Sequence, residues 1–315
     1  MQPNQYKVHS RITPAQVRDH LFLPREFFVE SAKERFSRLD EDYLARKATE
    51  ERFPLEGNTR LAKAIVPHLP SDAKSRTLEI FDIGAAGGAL TTLCLLKEFR
   101  EAGISDVRIT LVDLSLEALK ATKEWRFSLP IGLLEREYGW SKDFVEFAKG
   151  IISAATLVQA DFRNLSGAFP SKADICSSGF TLHHMNLLDK LFATASMTQI
   201  TRRGGIVGIV DECLSYTDYI EWIKRHEGEI NSRGEHVPIA VESFIHLQDQ
   251  LKLLDSSVMP LTSGAEKEFH FFVARKEKSD TFSDLHPTPD KWTRPTIKPL
   301  DGEGLAELLD LVPLG

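Results

Sequence analysis

The chain has little cysteine, no excess of positive charge and no long apolar run. Its three cysteines, Cys94, Cys176 and Cys213, stand in 315 residues without a CxxC pair or a nearby pair of histidines. That spacing argues against a disulfide scaffold and a structural zinc site, so no metal is expected and the thiols fit a reduced, cytoplasmic setting. Lysine and arginine number 39 against 46 aspartates and glutamates, a net charge of −7. With no basic run to offset that deficit, nucleic acid is not the expected partner. Nowhere do about 18 uncharged apolar residues follow one another, and no apolar stretch stands behind Lys7, so neither a membrane span nor an export signal is expected. There is no internal repeat, no low-complexity run and no GxxxxGK[ST] phosphate loop.

What is present is 42% hydrophobic and 27% charged side chains, the balance of an ordinary globular chain. At roughly 150 residues per domain the length allows one large domain or two modest ones. Residues 1–70 read as a helical cap. Thr13-Pro14 starts one helical pattern, continued by Val17, His20 and Leu21, and a second places Phe28, Ala32, Phe36 and Leu39 on one stripe. That stripe either packs on the rest of the protein or forms a lid.

Over residues 71–278 the texture changes. Short apolar runs at 77–83, 107–112, 155–159, 173–176 and 205–210 alternate with helical stretches, which predicts an α/β fold with a doubly wound, mostly parallel sheet covered on both faces. A further run, 269–274, follows a broken stretch and is expected to pair antiparallel at the sheet's edge. The long interval between the second and third strands predicts an aromatic-rich helical insertion over about 124–152. Pro287, Pro289, Pro295 and Pro299 make 279–315 an extended arm, with one short helix over 305–311.

The informative stretch is Ile80-Phe-Asp-Ile-Gly84-Ala-Ala-Gly87-Gly88-Ala-Leu-Thr, a strand running through a small-residue turn into a helix. Such a turn lets a ligand approach the backbone closely. It fits a dinucleotide fingerprint poorly, since that pattern would read Gly84-x-Ala86-x-x-Ala89. Asp113 ends the second strand and follows Gly88 at close to the spacing of about 20 residues expected of a ribose-binding carboxylate; capping the next helix is the alternative. Asp161 ends the third strand, and in an open parallel sheet these ends share one crevice.

These motifs, D-I-G-A-A-G-G at 82–88, V-D-L-S at 112–115, Q-A-D-F at 159–162, Ser177 to His184, and G-G-I-V-G-I-V-D at 204–211, together resemble the class I S-adenosylmethionine-dependent methyltransferases of small-molecule type. The resemblance covers about residues 76–276. It implies a Rossmann-like domain that binds S-adenosyl-L-methionine and releases S-adenosyl-L-homocysteine. Gly84, Ala85, Ala86 and Gly88 would lie under the methionine and adenosine portions, with Asp82 near the methionine amino group. Asp113 would hold the ribose, Leu114 would lie beside the adenine, Asp161 would accept from the adenine amino group and Phe162 would pack on the ring. The sequence departs from the commonest loop in having Ala86 where a second glycine is usual.

The same resemblance makes Ser178, Gly179 and Phe180 candidates for contact with cofactor or acceptor. His183 and His184 invite a catalytic reading, because a neutral imidazole accepts a proton near pH 7; capping or packing is the alternative. Asp211 and Glu212 would bind a cationic substrate, act as base, or simply end a strand. Tyr216, Tyr219 and Trp222 form either a core stripe or a cation cage. No Asn/Asp-Pro-Pro-aromatic segment follows the fourth strand, and Cys176 lacks the Pro-Cys context of cytosine methylation, so a small molecule is the expected acceptor. Two other readings stay open: intramolecular cyclisation or lyase chemistry that releases methylthioadenosine, and a non-catalytic binding or scaffold protein.

Overall fold

A computed structural model describes residues 53–85, 88–125, 139–160, 165, 169, 172–184, 187–213, 251–260 and 268–277. The helical patterns expected between residues 13 and 39 and the arm at 279–315 lie outside them. The helices are α1 (Phe53–Ile65), α2 (Leu90–Glu101), α3 (Leu116–Lys123), α4 (Lys142–Ser153) and α5 (Leu187–Ile200). The strands are β1 (Leu78–Ile83), β2 (Val107–Asp113), β3 (Thr156–Gln159), β4 (Ala173–Gly179), β5 (Thr201–Cys213), β6 (Leu251–Pro260) and β7 (Glu268–Lys276).

Among the described residues seven strands form one sheet in the order β3-β2-β1-β4-β5-β7-β6. The first five strands of the chain pair in parallel, whereas β7 pairs antiparallel with both β5 and β6. The apolar runs are nearly unbroken in β1 and β4 because both faces are covered. Ile80, Ile109, Leu111, Ile175, Ile206 and Val273 join Leu61, Leu93, Leu96, Phe99 and Phe144 in one cluster, which buries α1, α2 and α4 against one face. Successive strand residues point to opposite faces, so Phe81 lies on the other side, where its ring meets that of Phe169 edge-on at 5.4 Å. Helix α5 packs on β4 and β5.

Two expectations change. The run at 269–274 is interior rather than an edge, since β6 covers its far side. Strand β6 escaped the pattern because its register shifts between Leu253 and Asp255, and such an irregularity breaks the two-residue alternation that marks a strand. The expected insertion contributes α4, whose Phe144, Val145, Ala148 and Ile152 are buried and which packs on β2, α2 and α3. It therefore belongs to the sheet's own helical layer; residues 126–138 are not described.

Helix α1, inside the segment expected as a cap, is likewise part of this layer and packs on β4, β5, β7 and α2. Close approach is possible because Gly208 lies under it: a Cβ there would sit 2.7 Å from Ile65 Cδ1. At the amino end of the sheet, the buried Asp174 takes two 2.8 Å bonds from Arg76 and a third from Glu79 N. These ties hold β1 and β4 level, which in turn aligns their carboxyl ends.

Candidate active site

The parallel register sets Ile83 beside both Val112 and Ser178, and Gly179 beside Val210. The carboxyl ends of β2, β1, β4 and β5 thus stand in one row. Beyond β1 the chain turns at Gly84, whose N–H donates to Val112 O at 2.8 Å while Ala85 N–H donates to the same oxygen at 3.2 Å. Gly84 (φ 79°) and Gly88 (φ 86°) have left-handed backbones, and a Cβ on Gly84 would overlap the Thr181 side chain. Glycine is required there on both counts. Ala86 and Gly87 lie outside the described residues.

Helix α2 starts at Ala89, itself left-handed and without a side-chain cap. The missing cap is supplied by Asp82, which is buried and accepts from Thr92 N at 3.1 Å and Thr92 Oγ1 at 2.6 Å. Burial pushes the Asp82 carboxyl up to about 7 against those two bonds, which favour its charged form; the charge of Asp113 adds to the rise. By contrast Cys94, in the middle of α2, is buried and pushed up to about 12 by desolvation, which leaves it an unreactive thiol.

Asp113 is also buried. Its Oδ1 accepts from Ser115 N at 2.9 Å, but the cap of α3 is Ser115, whose hydroxyl accepts from Ala118 N. The capping alternative for Asp113 therefore passes to Ser115. Leu114 is half-buried, and its carbonyl accepts from Gln159 Nε2 at 3.1 Å. Asp161 and Phe162 lie outside the described residues.

The end of β4 and the turn after it are closely packed. Ser178 is completely buried and donates to Ile83 O at 3.0 Å, which ties β4 to β1. Gly179 is covered by α1 and α2, since a Cβ would overlap Asn58 Oδ1 and lie within 2.5 Å of Thr91 Oγ1. Phe180 adopts a left-handed backbone (φ 52°), a conformation of order 1–3 kcal/mol in cost for such a residue. It is held by a 2.8 Å bond from its N–H to Val210 O, with its ring so close to Gly57 that a Cβ there would be 2.8 Å from Cζ.

Leu182–His184 form one 3-10 turn. His183 is buried, its ring Nδ1 donates to Asp211 Oδ1 at 2.5 Å and its backbone N–H donates to Asp211 Oδ2 at 3.1 Å. Asp211 is therefore a partner of His183, held by both its ring and its backbone. Since a carboxylate only accepts, the neutral imidazole carries its proton on Nδ1 and its basic lone pair on Nε2. The side chains of His184 and Glu212 are not described, and Tyr216, Tyr219 and Trp222 lie outside the described residues. Among the described residues no cluster of His, Cys, Asp or Glu is arranged to hold a metal, and no helix is long and apolar enough to cross a membrane.

Two residues missed by sequence reasoning join the row. Asn58 of α1 is buried and accepts from Thr91 Oγ1 at 2.8 Å. His270 of β7 is buried directly opposite Asp211 in the antiparallel register, which puts the two on one face. His270 stands among Phe269, Phe271 and Phe272, where no local alternation marks it out.

No protein-family model matches the sequence, and no curated protein matches it. Solved structures do. An S-adenosylmethionine-dependent methyltransferase from Leishmania major matches with a TM-score of 0.53 at 9% identity, over 83% of this chain and 91% of that one. The 1,6-didemethyltoxoflavin-N1-methyltransferase of Burkholderia thailandensis gives 0.48 at 14% identity, over 81% and 92%. An arsenic(III) S-adenosylmethionine methyltransferase from Chlamydomonas reinhardtii gives 0.42 at 15% identity, over 70% and 74%. At such identities the likeness is one of fold: the chain has the Rossmann-like fold of the class I S-adenosylmethionine-dependent methyltransferases.

Proposed function

We propose that the chain is an S-adenosylmethionine-dependent methyltransferase acting on a small molecule in the cytoplasm, with His183 as the base that receives the acceptor's proton. The observation that carries this reading is the alignment of the Gly84 turn and Asp113, both bonded through the end of β2, with the His183–Asp211 pair at the ends of β4 and β5. Burial and the free state of Cys94 and Cys176 support a reducing compartment.

The residues fit the cofactor. A buried carboxyl held near neutrality suits a neighbouring ammonium, so Asp82 is assigned to the methionine amino group. Asp113 is assigned to the ribose hydroxyls and Leu114 to the adenine edge. Ala86 in the loop, Asp161 at the adenine amino group and Phe162 on its ring complete the proposal, on the strength of their motifs alone. Bound there, the cofactor supplies a methyl group already activated as a sulfonium.

The protein's remaining work is orientation and proton removal. Holding an acceptor in line contributes up to about 7–11 kcal/mol, and a placed base adds about 10²–10⁴-fold. The bound cofactor would give its methyl group to the acceptor's oxygen or nitrogen, its sulfur would keep the carbon–sulfur electron pair, and it would leave as S-adenosylhomocysteine. The acceptor's proton passes to His183 Nε2, and Asp211 stabilises the resulting imidazolium. Asp211 thus positions the base rather than contacting the acceptor, while Phe180, strained at the end of β4, is assigned to the acceptor's side of the site.

The test is product analysis. Purified protein with S-adenosylmethionine and a panel of phenols, amines and carboxylic acids should release S-adenosylhomocysteine only when an acceptor is present. Methylthioadenosine formed from the cofactor alone would overturn methyl transfer in favour of cleavage or cyclisation.

A further inference from the structure

The inference concerns α1 and rests on the cofactor reading above. Its Asn58 is a polar side chain buried in a layer otherwise packed by Leu55, Leu61, Ile65, Leu93 and Leu96. A desolvated amide in such a place is unfavourable unless it is bonded, and an apolar residue would pack as well. One bond it makes goes to Thr91, in the first turn of the helix that the glycine loop opens. The next residue, Thr92, is the one held by Asp82. The first turn of α2 is therefore gripped from two sides, by β1 through Asp82 and by α1 through Asn58.

The direction of α1 reinforces this. Leu61 and Ile65 lie over Gly208, mid-strand in β5, whereas Gly57 and Asn58 meet Phe180, Val210 and Gly179 at the carboxyl ends of β5 and β4. The helix thus starts at the row of strand ends. Two glycines, Gly57 and Gly179, leave the space that lets it seat there, and any Cβ at either one meets a neighbour at 2.8 Å or less.

We propose that Asn58 is a positioning residue for the cofactor: through Thr91 it sets the first turn of α2, and with it Gly88 and Ala89 at the entry to that helix, so that cofactor affinity depends on α1 being docked. Three substitutions test it by calorimetric titration with S-adenosylhomocysteine, each paired with a melting curve of the unliganded protein. Asn58→Ala and Thr91→Val are expected to weaken binding about tenfold, one hydrogen bond's worth. Their double variant is expected to weaken binding by less than the sum of the two, since both remove the Asn58–Thr91 bond. Asn58→Asp, which keeps an acceptor for Thr91 Oγ1, is expected to bind within about threefold of wild type. A merely structural Asn58 would lower the melting temperature in Asn58→Ala and Thr91→Val and leave the dissociation constant unchanged, which overturns the proposal. Should Asn58→Ala fail to fold, the comparison of Thr91→Val with Asn58→Asp decides in the same way. Wild-type protein that does not bind S-adenosylhomocysteine overturns the cofactor reading itself, a result distinct from normal binding by the variants.

Discussion

At the ends of β1 and β2, Asp82 and Asp113 each bond to a backbone N–H within the next ten residues of their own chain, Thr92 N and Ser115 N. At the ends of β4 and β5 the carboxylate of Asp211 instead reaches back 28 residues to the backbone and ring of His183, with His270 of β7 opposite. The first arrangement is made by consecutive chain: strand, turn, helix. The second exists only after several strands have paired. The cradle is set mainly by its own segment, braced by α1 through the Asn58–Thr91 bond, whereas a constellation assembled across the sheet is sensitive to every element that sets its register. On this view the β1–β2 half, braced by α1, binds, and the β4–β5 half orients.

Separating the two halves experimentally breaks or sharpens that division. The largest effect is expected from Asp211→Asn, which keeps the shape and removes the charge that orients His183. With an accepted small molecule, S-adenosylhomocysteine release should fall by about 10²–10⁴, while calorimetric affinity for S-adenosylhomocysteine stays at the wild-type value. If both fall together, the halves are not independent. In Gly84→Val the left-handed backbone contributes about 1–2 kcal/mol and the overlap with Thr181 about 1–3 kcal/mol of destabilisation. Adding Thr181→Ala, which removes Oγ1 and Cγ2 but keeps the Cβ that would lie 2.7 Å away, should recover part of the second contribution and none of the first, as read by denaturant titration. No recovery would mean that the turn fails for its backbone alone.

A third effect is a pH dependence. Asp82 is held at about 7 in the folded chain against an ordinary 3.8, so folding binds its proton. Its contribution to stability is complete below about pH 4 and is lost as pH rises through about 7. Asp82→Asn, which has no proton to lose, should show a flatter stability profile than wild type across that window, measured by urea unfolding at about pH 5 and about pH 8. Parallel profiles would remove Asp82 as the source.

The same division explains what the sequence made legible. The glycine turn, Asp113 and the parallel rhythm were readable because their signals are local: apolar runs of strand length, a small-residue turn and a carboxylate at a fixed remove. Asn58 and His270 were not, since nothing beside them in the chain announces the helix docking or the antiparallel register that buries them. The contact of Asp211 with His183 was not legible, because the pairing of β4 with β5 is what brings the two together. Nor was the tie of the Ser178 hydroxyl to Ile83 O, which exists only once β4 lies beside β1. Strand β6 was hidden by its register shift.

The central claim is that the ends of β1 and β2 hold S-adenosylmethionine by way of Asp113. Calorimetric titration of the full chain with S-adenosylhomocysteine, wild type against Asp113→Ala, tests it most directly. The account predicts one site per chain in the wild type and a loss of about 1.5–3 kcal/mol of binding free energy in the variant, the contribution of hydrogen bonds to a charged group. No binding by the wild type, or equal binding by both, would contradict it.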